Sequence, residues 1–298
     1  MNRLCEGRVA IVTGAGRGLG REHALMLAAH GAKVIVNDLG VDVAGGAEDA
    51  SAANQVVADI RVSGGEAAAN GDDVSDWNGA KNLIDHAIGT FGRLDALINN
   101  AGILRDRMLS NMSEEEWDAV IKVHLKGTFA PTRHAAAYWR DESKARGLLK
   151  ARVINTSSTS GIYGNVGQTN YGAAKAGIAA FSIIAARELR RYGVTVNAIA
   201  PSAQTRMTEG LRTLDEEQRE RRNTRWVSPL VTWLASEGSQ DVTARVFQAG
   251  NGIVSVLEGW HRGPTIEQMD DPVALGPIVQ RMVAEVRKNA GMDGIDLD

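Results

Sequence analysis

Residues 9–20 read Val-Ala-Ile-Val-Thr-Gly-Ala-Gly-Arg-Gly-Leu-Gly, and this stretch decides the fold of the chain. Its first five residues are mostly apolar and β-branched, as in a buried strand, and a helical apolar pattern follows the glycines. Strand, glycine turn and helix form the first half of a βαβ unit, whose helix start attracts a pyrophosphate. The spacing is Gly-x-x-x-Gly-x-Gly rather than Gly-x-Gly-x-x-Gly, and a plain turn is the alternative, because a glycine-rich loop by itself is weak evidence. We expect the loop to bind a dinucleotide through Gly14, Gly16, Arg17, Gly18, Leu19 and Gly20.

An acidic residue follows the second predicted strand, Lys33–Asn37. Asp38 is placed to accept hydrogen bonds from the adenosine ribose hydroxyls and to repel a 2′-phosphate, which favours NAD over NADP. Arg17 is the one loop residue that argues for NADP. A solvated strand end is the alternative reading of Asp38.

Two further segments fit the same site. Asp73-Val74 follows the third predicted strand, where contact with the adenine is expected, and residues 99–102, Asn-Asn-Ala-Gly, follow the apolar strand at 94–98. Ligands of a doubly wound sheet bind beyond the carboxyl ends of its strands. An ordinary turn is the alternative for the second segment. The predicted cofactor contacts here are Asp73, Val74, Asn100, Ala101 and Gly102.

Tyr171 and Lys175 are four residues apart, so on a helix they share one face. Tyrosine has a pKa near ~10 and is a poor base at neutral pH, but a neighbouring ammonium group stabilises the phenolate and lowers that pKa. Ser158, upstream of the tyrosine, can hold a substrate oxygen in front of it. A Tyr-x-x-x-Lys pair alone is weak evidence, because it also arises by chance. With the upstream motifs, we predict that Ser158, Tyr171 and Lys175 are catalytic.

Together these motifs resemble the short-chain dehydrogenase/reductase superfamily in its single-domain form, in the family's order across about residues 7–250. The resemblance implies an α/β fold: a Rossmann-type doubly wound parallel sheet of about seven strands with helices on both faces. It places the catalytic domain at residues 1–262. It also implies cofactor contacts at four further positions: Tyr171, Lys175, Pro201 and Thr205.

The segments at 36–40, 123–127, 156–165 and 200–208 are similar to one branch of that family. The branch comprises the (3R)-hydroxyacyl-CoA dehydrogenase domains of peroxisomal multifunctional β-oxidation enzymes and their bacterial single-domain relatives. This similarity implies NAD-dependent oxidation of a secondary alcohol on an acyl-CoA. The same machinery would serve a free hydroxysteroid or another small secondary alcohol. A third alternative is a catalytically silent NAD-sensing protein, which would need no intact Ser, Tyr and Lys set.

Two positions depart from the family pattern. His124 stands where many members carry an asparagine that anchors a proton-relay water. It is therefore a candidate relay residue that would hold the water, titrate itself or simply pack. Ser202 stands where the family usually has glycine, in a shortened segment, which leaves the expected contact of Thr205 with the nicotinamide amide open.

Composition narrows the classes of function. The 298 residues are 44% hydrophobic with 33 glycines, which suits one α/β domain around a covered parallel sheet. A net charge of −3 without a basic stripe argues against a nucleic-acid partner. Without a long apolar run or a leader we expect no membrane contact and a cytoplasmic location. Cys5 is the only cysteine and the six histidines lack ligand spacing, so neither a disulfide nor a metal is predicted.

A C-terminal extension, residues 263–298, lies outside the common pattern. Its apolar residues recur at helical spacing, so we predict a helix packed on the same subunit, with packing on a partner subunit or over the substrate cleft as alternatives. The family resemblance implies a homodimer or homotetramer. The apolar stripe comprises Leu275, Ile278, Val279, Met282, Val283 and Val286.

Overall fold

One sheet organises the part of the chain that the computed structural model describes, which is residues 3–40, 51–203 and 215–296. Its strands are β1 Val9–Thr13, β2 Lys33–Asn37, β3 Glu66–Asn70, β4 Ala96–Asn99, β5 Ala151–Thr156, β6 Val194–Pro201, β7 Val246–Gly250 and β8 Ile253–Leu257. They lie in the order β3-β2-β1-β4-β5-β6-β7-β8. Strands β1 to β7 pair in parallel, and β8 pairs antiparallel to β7. The predicted doubly wound sheet is confirmed.

Helices cover both faces of the sheet. Within the described ranges they are α1 Gly18–Ala29, α2 Ser51–Val62, α3 Trp77–Phe91, α4 Glu114–Val120, α5 Gly127–Arg146, α6 Thr159–Tyr163, α7 Thr169–Leu189, α8 Glu216–Arg221, α9 Ser228–Ala235 and α10 Pro272–Glu285. A π-helical turn, Ile121–Lys126, joins α4 to α5.

The alternation of side chains along β1 divides the core into two layers. Ala10 and Val12 belong to the layer packed by α1, α2 and α9. Val9 and Ile11 belong to the opposite layer, packed by α3, α5 and α7. All four side chains are buried, which explains why the strand is nearly continuous in apolar residues rather than alternating.

The strand order places the site. The chain moves from β1 outward to β2 and β3, then returns to the other side of β1 with β4. The connections after β1 and β4 therefore leave the sheet in opposite directions and open a crevice at the carboxyl ends of these strands. The glycine loop follows β1, and the Asn100–Gly102 segment follows β4.

The sheet has one strand more than the seven or so expected. β7 and β8 form a hairpin whose two-residue loop is Asn251-Gly252, with φ values of 53° and 82°. Asn-Gly with positive φ at both residues is the sequence preferred in type I′ hairpin turns. The Asn-Gly pair in the sequence thus indicates an eighth strand. That strand was not predicted, because the parallel βαβ pattern ends near residue 250.

The extension contains the helix α10, and the packing of this helix on the same subunit is weak. None of its residues is fully buried, and Leu275, Ile278 and Met282 are partly buried. The domain boundary at residue 262 stays a prediction. Of the helices that the structure describes, none combines the length and the apolar character needed to cross a membrane.

Candidate active site

The glycine loop is closely packed. A Cβ on Gly14 would lie 2.8 Å from Ala101 Cα, and one on Gly20 would lie 2.2 Å from Gly14 O. Gly14 and Gly18 also have positive φ values of 61° and 55°, which glycine adopts without strain. The N-cap side chain, Arg17, makes no capping hydrogen bond to α1, so backbone N–H groups at the helix start remain available to an anion. The residues therefore fit a pyrophosphate, and Leu19 packs against the core beneath them.

The segment after β4 is fastened to this loop. The backbone N–H groups of Asn100 and Ala101 donate to Thr13 Oγ1 at 2.9 and 3.0 Å. Asn100 Nδ2 donates to the carbonyl oxygens of Thr13 and Gly14 at 3.0 and 3.2 Å. The structure thus brings Asn100, Ala101 and the loop together, as the sequence predicted.

Asp38 lies against the glycine loop from the other side. Gly16 N donates to Asp38 Oδ2 at 2.8 Å, and Gly40 N donates to Asp38 Oδ1 at 2.9 Å. A Cβ on Gly16 would lie 2.8 Å from the same Oδ2. Glycine at position 16 therefore lets the carboxylate approach the loop.

The remaining predicted cofactor contacts have different surroundings. Asp73 turns into its own loop, where Oδ1 accepts hydrogen bonds from the N–H and hydroxyl of Ser75 at 2.8 and 2.6 Å. Val74 is buried, with Gly127 beside it. Pro201 ends β6 at the same edge of the sheet. Thr205 lies outside the described residues.

Ser158, Tyr171 and Lys175 come together where α6 packs on α7. Ser158 is the N-cap of α6, and its hydroxyl accepts from Ser160 N at 3.1 Å and forms a hydrogen bond with Tyr171. Lys175 Nζ lies 5.5 Å from the centre of the Tyr171 ring and donates to Thr156 O at 2.6 Å. The predicted cluster of hydroxyl, phenol and amine therefore exists as a contiguous group.

The protonation of this cluster is governed by burial. Burial raises the pKa of Tyr171 to about 12; the hydrogen bond with Ser158 opposes the rise and the Asp106 carboxylate adds to it. Burial lowers the pKa of Lys175 to about 7. The expected lowering of the tyrosine pKa by Lys175 is therefore not found. The physical reason is that the desolvated amine is only partly charged near neutral pH and its hydrogen bond goes to a carbonyl.

His124 lies in the π-helical turn, where it contacts both parts of the site. Its ring is perpendicular to that of Tyr171, with 5.1 Å between ring centres. Nε2 lies 2.7 Å from Ile103 O and 3.1 Å from Ile103 N, and Nδ1 has no hydrogen-bond partner among the described residues. A Cβ on Gly102 would lie 2.3 Å from His124 Cε1, so glycine there makes room for the ring. Burial, and secondarily the charge of Lys175, hold the pKa of His124 well below its usual value.

The sequence reasoning missed three polar residues beside the cluster: Asp106, Gln168 and Asn170. Gln168 Nε2 donates to Asp106 Oδ2 at 2.8 Å, and the buried Asn170 donates to Arg105 O at 2.9 Å. They lie in or beside loops, and nothing in the sequence separates them from other loop residues. Only their proximity to Tyr171 in the chain was a hint for the latter two.

The fold and this cluster define a class of protein. The model of the short chain dehydrogenase family matches residues 8–218, and the chain belongs to that family. Short-chain dehydrogenases are oxidoreductases that generally use a nicotinamide cofactor.

Known relatives include a peroxisomal multifunctional enzyme and a hydroxyacyl-CoA dehydrogenase. The chain is 44% identical to peroxisomal multifunctional enzyme type 2 of Mus musculus over 270 residues, which is 90% of this chain and 35% of the mouse protein. It is 47% identical to a hydroxyacyl-CoA dehydrogenase of Mycobacterium tuberculosis over 247 residues, which is 81% of this chain and 76% of that protein. The chain thus spans about a third of the multifunctional relative.

A solved structure shares almost the whole fold. The crystal structure of a short chain dehydrogenase from Mycobacterium avium is 51% identical to this chain, with a TM-score of 0.87. The match covers 99% of this chain and 100% of that one. The similarity therefore includes the C-terminal extension.

Proposed function

We propose that this protein catalyses NAD-dependent oxidation of a (3R)-3-hydroxyacyl-CoA to the 3-oxoacyl-CoA. The observation that carries the proposal is the contact of the Tyr171 and Ser158 hydroxyls, with Lys175 beside them. The name of the M. tuberculosis relative, hydroxyacyl-CoA dehydrogenase, supports the acyl-CoA substrate. The chain spans about a third of the mouse multifunctional relative, and the proposal concerns the dehydrogenase reaction alone.

Each residue of the cluster has a separate role in the transfer of the substrate's hydroxyl proton. Ser158 orients the substrate oxygen and stabilises its developing negative charge, while Tyr171 exchanges the hydroxyl proton. The glycine loop, Asp38 and Lys175 would hold NAD, which would supply the acceptor for the hydride of the carbinol carbon. Lys175 holds the cofactor ribose and stays close to the phenol ring. With a pKa of about 12, Tyr171 is protonated at pH 7, so the oxidation rate is expected to rise with pH.

We assign His124 a role in the relay of that proton. Its low pKa keeps the imidazole neutral near pH 7, which argues against titration of the ring itself. A neutral ring with Nε2 at Ile103 leaves Nδ1 as the atom for one further hydrogen bond. Buried polar atoms normally have a hydrogen-bond partner, and a bound water would provide one for Nδ1. The same water would serve the proton relay.

We propose NAD rather than NADP because of Asp38. Its carboxylate lies against Gly16, where a 2′-phosphate would meet negative charge. A hydrogen bond to a charged group is worth about 1.5–3 kcal/mol, so Asp38→Ser is expected to lower the preference for NAD over NADP about tenfold or more. The ratio of kcat/KM values for the two cofactors measures this. Asp118→Ser, which removes an exposed carboxylate on α4, is the control, and an unchanged ratio in Asp38→Ser would contradict the assignment.

The reaction is tested by NADH formation with three alcohols: a (3R)-hydroxyacyl-CoA, its (3S) isomer and a free hydroxysteroid. Turnover confined to the (3R) thioester is expected. Tyr171→Phe should keep NAD affinity and lose about 10²- to 10⁴-fold in kcat, the usual contribution of a general base. Tyr192→Phe, beyond the end of α7, is the matched control.

The other outcomes separate the alternatives. Turnover of the steroid alone would keep the catalytic residues and replace the substrate, and we would assign the difference to the segments at 104–111 and 162–169 beside the catalytic cluster. NAD binding without turnover of any alcohol would indicate the silent NAD-sensing protein. Normal turnover in Tyr171→Phe would remove the tyrosine from the mechanism.

We also propose a homodimer or homotetramer. The edge strand β8 exposes Ile253, Val254 and Val256, and Trp260 is fully exposed in the single chain. Exposed apolar patches rimmed by polar residues commonly mark protein interfaces. Sedimentation velocity measures the assembly.

A further inference from the structure

A buried amide joins three segments at the start of α7. Gln168 is only 8% exposed, and it immediately precedes the helix that carries Tyr171. Its Nε2 donates to Asp106 Oδ2 at 2.8 Å. Its Oε1 accepts from Ser160 Oγ at 2.8 Å and from Asn165 Nδ2 at 2.9 Å. Both acceptor positions of the amide and one donor are thus used, which fixes its orientation.

This amide also reaches the Ser158 hydroxyl. Ser160, which donates to Gln168, is two residues beyond Ser158, and its N–H donates to Ser158 Oγ at 3.1 Å. The hydrogen-bonded chain therefore runs from Asp106 through Gln168 and Ser160 to Ser158. It ends on one of the two hydroxyls that must meet at the substrate.

A second set of bonds ties the same loop to Tyr171. Asn170 Nδ2 donates to Arg105 O at 2.9 Å and to Glu116 O at 3.1 Å, while its Oδ1 accepts from Tyr171 N at 2.7 Å. Arg107 N donates to Gly167 O at 2.8 Å. The loop at 105–107 thus runs along the first turn of α7, and Asp106 is its contact with Gln168.

Charged and titratable groups approach Tyr171 from each packed element. Lys175 lies on the same helix, His124 comes from the π-helical turn, and Asp106 comes from the loop after β4. The Arg107–Glu116 ion pair lies near the start of the helix and is internally neutralised. Asp106 is therefore the carboxylate whose charge bears on the phenol.

We propose that Asp106 is a positioning residue for the oxidation: through Gln168 and Ser160 it fixes the Ser158 and Tyr171 hydroxyls relative to each other. This inference rests on the proposed function and adds a residue to it. The carboxylate has a second effect, since its negative charge disfavours the phenolate. Asp106 therefore positions Tyr171 but also makes its hydroxyl harder to deprotonate.

Two substitutions separate these effects. Asp106→Asn keeps an acceptor for Gln168 and removes the charge, so kcat should stay within about twofold while the alkaline rise of kcat/KM moves to lower pH. Asp106→Leu removes both acceptor and charge. A displacement of about 1 Å at a reacting group costs up to ~10²-fold, so kcat should fall about ten- to a hundredfold with NAD affinity unchanged. Ser160→Ala cuts the same chain further along and should also lower kcat.

Glu188→Gln is the matched control. It removes an exposed carboxylate from the same helix, about 25 Å from Tyr171 at 1.5 Å per residue, and should behave as wild type. Full kcat in Asp106→Leu overturns the proposal, whereas a pH profile in Asp106→Asn that superposes on that of the wild type overturns only the second effect, that of the charge.

Amide hydrogen exchange over residues 159–175 provides a readout that needs no turnover. Faster exchange in Asp106→Leu and wild-type exchange in Asp106→Asn are expected. If the wild type oxidises no alcohol, the proposed function fails, while the exchange rates still decide whether Asp106 positions α6 and α7. Unchanged exchange in Asp106→Leu refutes the positioning role.

Discussion

At the scale of one residue, the buried amine of Lys175 lowers the stability of the fold. Its side chain is 2% exposed, and burial lowers its pKa from 10.5 to about 7. Each pKa unit corresponds to about 1.4 kcal/mol, so a protonated amine at this position costs the fold on the order of 4–5 kcal/mol. The hydrogen bond to Thr156 O offsets part of the desolvation.

Lys175→Met is therefore expected to raise the free energy of unfolding at pH 7 by a few kcal/mol, at about 1.4 kcal/mol per pKa unit, and to abolish turnover. The unfolded lysine binds its proton up to pH 10.5, while the folded one releases it near pH 7. The wild type should thus gain stability as pH rises from 7 toward 10.5 and approach the variant. Urea unfolding at both pH values measures the difference, with the exposed Lys122→Met as control. A destabilised Lys175→Met at pH 7 would contradict this account.

At the scale of elements, the contact of α1 with α9 contains a buried histidine. His23 Nδ1 lies 2.8 Å from Ser228 Oγ, and Nε2 has no partner among the described residues. Burial lowers the pKa of His23 to about 3. The neutral ring therefore supports the packing of the two helices, and a protonated ring opposes it.

This contact predicts sensitivity to mild acid. The folded pKa lies below the unfolded value of 6.5, so the full stability is present above pH 6.5 and is lost as pH falls toward 3. Between pH 7 and 5 the loss should be about 2 kcal/mol from His23, and His124 acts in the same direction. His23→Gln should flatten the pH dependence, whereas the exposed His261→Gln should not. Equal slopes in denaturant titrations of wild type and His23→Gln would exclude His23 as the cause.

The elements also show how far the sequence predicted this molecule. The strands at 9–13 and 33–37 were predicted to the residue, because buried parallel strands are apolar runs bounded by glycine or acidic turns. The gathering of Ser158, Tyr171 and Lys175 followed from helical spacing and family order. Contacts such as Asp106 with Gln168 were not predictable, since they join residues 62 apart through the tertiary fold. The raised pKa of Tyr171 likewise depends on burial that spacing does not reveal.

At the scale of the whole molecule, the C-terminal extension adds little to the core. The buried clusters of the described residues include nothing beyond Leu257, and Trp260, Val273 and Val283 are 102%, 82% and 66% exposed. Arg287 pairs with Asp296, and both residues of this ion pair belong to the extension. Gly294 lies near Tyr163 of α6.

A fragment of residues 1–262 is therefore expected to fold with nearly the stability of the whole chain. It keeps β8 and both core layers, and large losses in the free energy of unfolding come from changes to a packed core, so we expect a loss well below the several kcal/mol that core changes cost. Chemical denaturation at one low protein concentration compares the two forms. A loss of several kcal/mol would mean that the extension belongs to the domain. Sedimentation velocity of the fragment tests the role of α10 in assembly. Since α10 has no fully buried residue, its apolar face stabilises little within one subunit. An assembly with fewer subunits than that of the whole chain would show that this face contributes to the subunit interface.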